Sequence, residues 1–190
     1  MKKFNGKGFN NVLGLCVTAM LAAVSIVSLY VVRFPLIPAA SFLEYDMADV
    51  PVMIGALLIN PLMGMAILLV VCLIQALTVS AASGWIGFVM HLVASGVMVL
   101  VSSLIYRFCG KKTKSLVIGL VAGSIAMTVV MIPLNLVFTG IFLGAGVQTV
   151  VGMLIPAIIP FNLLKAVINS VLTFIIFLPL KKAFKRIVSE

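Results

Sequence analysis

A lysine placed in the middle of an apolar run is the residue of this sequence best suited to chemistry. Lys165 is the one charged residue within 156–179. An ammonium at the centre of a membrane helix costs roughly 2.5–3.5 kcal/mol on insertion scales, so it faces a cavity or a partner. The other way out is snorkelling, in which the stem lies along apolar surface and the charge reaches the outer head groups. Asn162 lies three residues before it and Asn169 four after, so the three share one helical stripe. An ammonium beside amides fits recognition of a polar ligand. Asn162, nearer the outside, is the better ligand candidate, and Asn169 reads as packing. Asn135 follows Pro133 by two residues. It either repairs the backbone carbonyl that a proline leaves free or touches the same ligand. His91 and Gln75 lie deeper. A lone histidine in a span is more often an interhelical donor than a metal ligand, and no second ligand stands at metal spacing.

Three of the four acidic residues, Glu44, Asp46 and Asp49, lie in or at the end of the loop 34–47. A solvated loop and a helix N-terminus would account for such charges. Phe42, Leu43 and Tyr45 alternate with them, however, and that composition suggests a lid turning its apolar side chains inward. Hydrolytic machinery is absent: there is no H-E-x-x-H, no G-x-S-x-G and no pair of carboxylates inside a span. Gly110-Lys111-Lys112-Thr113 lacks the first glycine of a phosphate loop, so the chain does not use ATP by itself. The expectation is a binding protein and not an enzyme, with no metal and no resident cofactor.

The elements that must hold these residues are membrane helices. The 190 residues are 64% hydrophobic and 9% charged, with a mean hydropathy of +1.35, far from a soluble domain. No Asp, Glu, Lys or Arg occurs within 9–32, 50–106 or 115–164. A helix spans with about 20 apolar residues, so the longer runs fold back on themselves. Nothing alternates with the period of an outer-membrane barrel, which leaves helices. The spacing predicts an all-α integral membrane protein of one domain, with six transmembrane helices at about 12–32, 48–59, 62–80, 86–106, 115–139 and 156–179. Asn60-Pro61 and Ser83-Gly84 mark turns. Residues 140–155, holding Gly140, Gly144, Gly146 and Gly152, read as an irregular or re-entrant segment. Lys2, Lys3, Lys7, Arg107, Lys111, Lys112, Lys114, Lys181, Lys182, Lys185 and Arg186 then share one side, which places both termini in the cytoplasm. The net charge of +9 therefore reflects topology and contact with lipid head groups, and not nucleic acid. Cys16, Cys72 and Cys109 are odd in number and imply no disulfide framework. Gly119-xxx-Gly123 and Gly140-xxx-Gly144 are small-residue pairs, but no internal repeat supports a self-sufficient inverted-repeat carrier.

The stretch Phe42-Leu43-Glu44-Tyr45-Asp46-Met47-Ala48-Asp49-Val50-Pro51, followed by Asn60-Pro61-Leu62-Met63-Gly64, resembles the loop and second helix of substrate-binding S components of energy-coupling factor (ECF) vitamin transporters. The form F-L-x-Y-D-x-x-D-x-P is most similar to the riboflavin-specific members. Asn60 departs from the Gly-Pro turn of that pattern. The resemblance implies a six-helix protein of the bacterial plasma membrane that captures a vitamin from outside. It implies delivery with a transmembrane coupling subunit and two cytoplasmic ATPases. Ala19 and Ala23 fit the A-x-x-x-A pattern with which the family's first helix contacts the coupling subunit, although ordinary helix packing explains the same alanines. It further implies a pocket at the outer end, under the loop, with Leu43, Glu44, Asp46, Asn135, Asn162 and Lys165 as ligand-binding residues. Riboflavin's uracil-like edge suits an amide, and FMN would bring about two negative charges with only Arg33 and Lys165 placed to meet them. Riboflavin is therefore preferred over FMN. Another vitamin such as thiamine or a pteridine, or a small membrane protein of another class, are the alternatives.

Overall fold

A computed structural model describes residues 6–189. Lys2 and Lys3 lie outside the described residues, as do the side chains of Lys7, Lys185 and Arg186, so part of the topology argument rests on residues without a described place. Among the described residues seven α-helices follow one another: α1 (Gly6–Val31), α2 (Asp49–Leu58), α3 (Pro61–Leu77), α4 (Gly84–Phe108), α5 (Thr113–Leu143), α6 (Val147–Met153) and α7 (Ile159–Ser189). The loop after α1 holds a small antiparallel hairpin of β1 (Arg33–Pro35) and β2 (Glu44–Asp46), with Arg33 opposite Asp46 and Pro35 opposite Glu44.

Among the described residues four helical stretches have the length and hydropathy to cross a membrane: Val12–Val31, Gly84–Phe108, Thr113–Leu143 and Val147–Phe184. The other two apolar helices are shorter. At 10 residues, α2 is about 15 Å long, half of a bilayer core of about 30 Å. It can be short because protein surrounds it, with every residue from Asp49 to Leu57 buried. The α2–α3 turn forms because Asn60 caps α3: its Oδ1 accepts from the Met63 amide at 2.8 Å, and Pro61 stands at the first helical position. The departure from the Gly-Pro pattern thus keeps the turn by another chemistry.

Several boundaries differ from the sequence reading. Helix α5 runs through Pro133 and past residue 139 to Leu143, where Gly144 closes it in the left-handed conformation (φ 60°). Residues 147–153 form α6, and a π-turn at Leu154–Ile158 joins it to α7. Residues 147–158 of the glycine-rich segment are therefore helical and continuous with the last helix, residues 144–146 form the bend between α5 and α6, and Pro156 sits inside the π-turn instead of starting a span. The glycines bias against an isolated helix, but the buried side chains of Val150, Ala157, Ile158 and Phe161 pack it beneath Ala40 and Leu43 of the loop. At the other end, α7 runs through Pro179.

The bundle is tightest where α4 meets α5. A Cβ on Gly119 would come within 2.6 Å of the Ser102 carbonyl oxygen, and one on Gly123 within 2.8 Å of the Met98 carbonyl oxygen. The Gly119-xxx-Gly123 pair is thus a close-approach surface for the neighbouring backbone. Gly140-xxx-Gly144 is not one, since nothing lies near a Cβ on Gly144. One end of the bundle gathers the α2–α3 turn, against which Arg107 donates to the Ile59 carbonyl, and the α4–α5 connection, where Lys181 Nζ donates to the Lys111 carbonyl at 2.9 Å. The other end gathers the hairpin and the 78–83 turn, joined through Arg33 and Ser80.

Candidate ligand-binding site

The hairpin folds back over the bundle because its charged residues find partners there. In β2, Tyr45 turns its ring against Phe34 at 5.3 Å between centroids and donates its hydroxyl to Asn169 Oδ1 at 2.9 Å. Burial and the adjacent Asp46 carboxylate push the Tyr45 phenol up to about 12, so it stays a neutral donor at working pH. Asp46 closes a short turn by accepting from the Ala48 amide at 3.2 Å with Oδ1, and its Oδ2 accepts from Lys165 Nζ at 2.8 Å. Arg33 and Glu44 pair across the hairpin mouth, with Nε to Oε2 at 2.6 Å, and the Arg33 guanidinium also donates to Ser80 Oγ at 3.2 Å.

Asp49 begins α2 below the hairpin and collects the rest of the polar residues. Its Oδ1 meets His91 Nε2 at 3.0 Å, and its Oδ2 accepts from Ser95 Oγ at 2.9 Å and Asn169 Nδ2 at 3.4 Å. Lys165 Nζ stands 4.0 Å away, and His91 Nδ1 lies 2.5 Å from Gln75 Oε1. Buried charges need such company to be tolerated. Lys165 is 7% exposed, so it lies in the protein and does not snorkel. Sequence spacing saw no second ligand near His91, yet ligand atoms of Asp46, Asp49 and His91 all lie within 4.8 Å of one another. Their partners are side chains of the same cluster, with Lys165 as its cation, and the arrangement reads as a fastening of loop to bundle.

Beneath the hairpin lies a cavity of about 170 Å³. The six residues expected to touch ligand, Leu43, Glu44, Asp46, Asn135, Asn162 and Lys165, all line it. Arg33, Gln75, Ser80, His91 and Thr139 line it too. Leu43 is 8% exposed and closes the cavity from the loop side. Asn135 donates to the Met131 carbonyl at 2.7 Å and accepts from Thr139 at 2.8 Å. The amide therefore does not serve the Val129 carbonyl, the one four residues before Pro133 that proline leaves without its helical donor. Asn162 Nδ2 donates to the Ile158 carbonyl in the π-turn at 2.8 Å, and its Oδ1 is buried without a hydrogen-bond partner. Three other buried side-chain atoms among the described residues share that state, on Ser102, Arg107 and Thr173, and none of those residues lines the cavity. A second groove of about 360 Å³, between α5 and α7, is lined by Val117, Val121, Val167, Val171 and other apolar residues, with Ser124 and Ser170, whose hydroxyls bond each other at 2.9 Å. It lacks the convergent polar groups that orient a small ligand.

Polar side chains from the hairpin loop, the 78–83 turn and four helices thus close around a cavity in an apolar bundle. The family model for the ECF transporter substrate-specific component matches residues 14–177. The chain belongs to this family. It is 34% identical to the riboflavin transporter RibU of Streptococcus thermophilus, over 90% of this chain and 84% of that one. It is 27% identical to the riboflavin transporter FmnP of Bacillus subtilis, over 88% and 91%. A solved structure of the S component of a bacterial ECF transporter superimposes with a TM-score of 0.78 at 29% identity, covering 92% of this chain and 99% of that one. This S component is accordingly a multi-pass protein of the bacterial plasma membrane.

Two further residues fall away from the cavity. Ala19 and Ala23 are exposed on α1, beside exposed Leu15, Met20, Val24 and Val27, so packing inside the protein does not explain them. Sequence reasoning read His91 as an interhelical donor, Tyr45 as part of an inward-turned lid and Asp49 as a charge at a helix N-terminus, but not the bonds of Asp49 to His91 and of Tyr45 to Asn169, 42 and 124 residues apart along the chain.

Proposed function

We propose that this S component binds riboflavin from outside and delivers it inward as part of an ECF importer, together with a coupling subunit and two cytoplasmic ATPases. The observation that carries the reading is the unpartnered Oδ1 of Asn162 at the cavity wall. An acceptor buried without a donor costs about 1–3 kcal/mol, and a ligand N–H removes that cost. The ring edge of riboflavin presents an N–H between two carbonyl oxygens. Asn162 Oδ1 would accept from that N–H, and its second amide hydrogen, free of Ile158, would donate to a carbonyl. Lys165 spends one of its three N–H groups on Asp46 and has others for the remaining oxygens. Asn135 stands across the cavity, and Leu43 covers the apolar ring. Pockets for ligands of this size hold about 300–1,000 Å³, so the Leu43 side of the loop must withdraw for riboflavin to enter.

The two-ended arrangement of the bundle supports six crossings with both termini cytoplasmic. Helix α2 starts beside Lys165 and ends at Arg107, and α3 returns from there to the Arg33 and Ser80 end. The basic Lys111, Lys112 and Lys114 lie at the Arg107 end, as the positive-inside rule requires of the cytoplasmic side. The exposed Ala19 and Ala23 face of α1 suits close approach by a coupling-subunit helix. The test is a chromophore: protein purified in detergent from flavin-fed cells should release one riboflavin per chain on denaturation. A colourless protein that binds thiamine or a pteridine instead would move the reading to another vitamin.

A further inference from the structure

We infer that Glu44 selects against the phosphorylated form of the vitamin by occupying Arg33, the one cation among the described residues at the mouth of the cavity. The inference rests on the riboflavin reading above and deepens it. A flat apolar ring needs enclosure, so it belongs in the depth of the cavity, against buried Asn135 and Asn162. The ribityl chain then points to the mouth, where the Arg33 and Glu44 side chains remain 20% and 38% exposed. FMN differs from riboflavin by a phosphate at the far end of that chain, carrying about −1.5 to −2 charges. An arginine fork is the natural partner of a phosphate. Arg33 is held by Glu44 through Nε and the guanidinium terminus and is further tied to Ser80. Lys165, the other permanent cation at the cavity, is held by Asp46 at 2.8 Å with Asp49 at 4.0 Å. His91 stands between Asp49 and Gln75. Two permanent cations therefore face three carboxylates, and a phosphate would meet a ring of satisfied pairs and the Glu44 charge itself. Strand pairing fixes this geometry: Glu44 sits opposite Pro35, two residues along from Arg33 on β1, so the side chains reach each other diagonally across the hairpin. A free ribityl hydroxyl, neutral and small, meets no such barrier.

The experiment is a pair of titrations of the full-length protein in detergent at low ionic strength, following quenching of flavin fluorescence by riboflavin and by FMN. Wild type should prefer riboflavin. Glu44→Gln keeps the shape and frees the guanidinium, and should raise the ratio of FMN to riboflavin affinity about tenfold. Arg33→Gln leaves Glu44 without its cation and should lower the same ratio by a similar factor. Both shifts should shrink in about 0.5 M salt, because mouth charges are screened. An unchanged ratio in Glu44→Gln, or a shift of both variants in the same direction, overturns the role of Glu44. Should Glu44→Gln fail to fold, Glu44→Ser takes its place, with the same rise in the ratio expected and an unchanged ratio overturning the role of Glu44. Wild-type protein that binds no riboflavin overturns the functional reading itself, which separates the two failures.

Discussion

The two halves of the bundle are held together by different physics. At the end that carries the α2–α3 turn and the basic loop, helices meet through glycine. Gly119 lets the α4 backbone approach until a methyl group would not fit, and Tyr106 stacks edge-on against Phe177 at 5.5 Å. At the end that carries the hairpin, a few directed polar bonds fasten a loop to the helices: Tyr45 to Asn169, Asp46 to Lys165, and Arg33 to Glu44. Close packing has no partly open state, because a lost contact is lost along the whole helix face. Polar bonds can be exchanged one at a time for bonds to a ligand or to water at modest net cost. A carrier that must open on one side while staying whole on the other needs this division.

The division can be tested from its strongest element to its weakest. Lys165→Met leaves Asp46 buried without its cation, and breaking a buried pair costs about 3–5 kcal/mol. Thermal unfolding in detergent should show that loss, and riboflavin titration should show binding weakened beyond measurement. Gly119→Val forces a side chain against the Ser102 carbonyl, at about 1–3 kcal/mol. There the melting temperature should fall while the riboflavin affinity of the folded fraction stays within about threefold, since the close packing lies away from the cavity. Equal loss of affinity in this variant would mean that the halves are not separable.

Tyr45→Phe removes one buried hydrogen bond, worth about 0.5–1.5 kcal/mol, and should raise the rate of proteolysis in the loop more than it lowers the melting temperature. The Tyr45 phenol is raised to about 12 in the folded protein against about 10 in the unfolded chain. Its contribution is therefore complete below pH 10 and lost as pH rises through 12. Loop protection in wild type should fall over that window, and in Tyr45→Phe it should not change there. Ala19→Leu with Ala23→Leu should have the smallest effect on the isolated protein, within about 0.5 kcal/mol. Co-purification with a coupling subunit should nonetheless be lost.

Much of the helical framework was legible in the sequence, because uncharged runs between basic patches leave few alternatives. The cavity-facing role of Lys165 was legible for the same reason, since a single cation in an apolar helix has few places to go. What spacing could not show was pairing. Asp49 and His91 are 42 residues apart and on different helices, and no periodicity links them. Charge accounting would have found them: a lysine and a histidine in spans, with the acids gathered on one loop, leave almost one way to neutralise everything. The segment 140–155, expected to be irregular or re-entrant, is helical from 147 onward for another reason. Its glycines lower intrinsic helix propensity by about 1 kcal/mol each, but burial of Val150 and Ile158 under the loop overrides that preference. Asn135 was assigned two possible duties, and its amide serves a carbonyl other than the one the proline frees.

The claim at the centre is that the loose half is built around a vitamin edge read by Asn162. Its most direct measurement is an equilibrium titration of riboflavin into wild type and Asn162→Leu, followed by flavin fluorescence. Saturable one-to-one binding in wild type, weakened at least about tenfold in Asn162→Leu while the melting temperature without ligand holds or rises, is the expected result, because the leucine removes an unpartnered acceptor. Affinity unchanged by Asn162→Leu would contradict it.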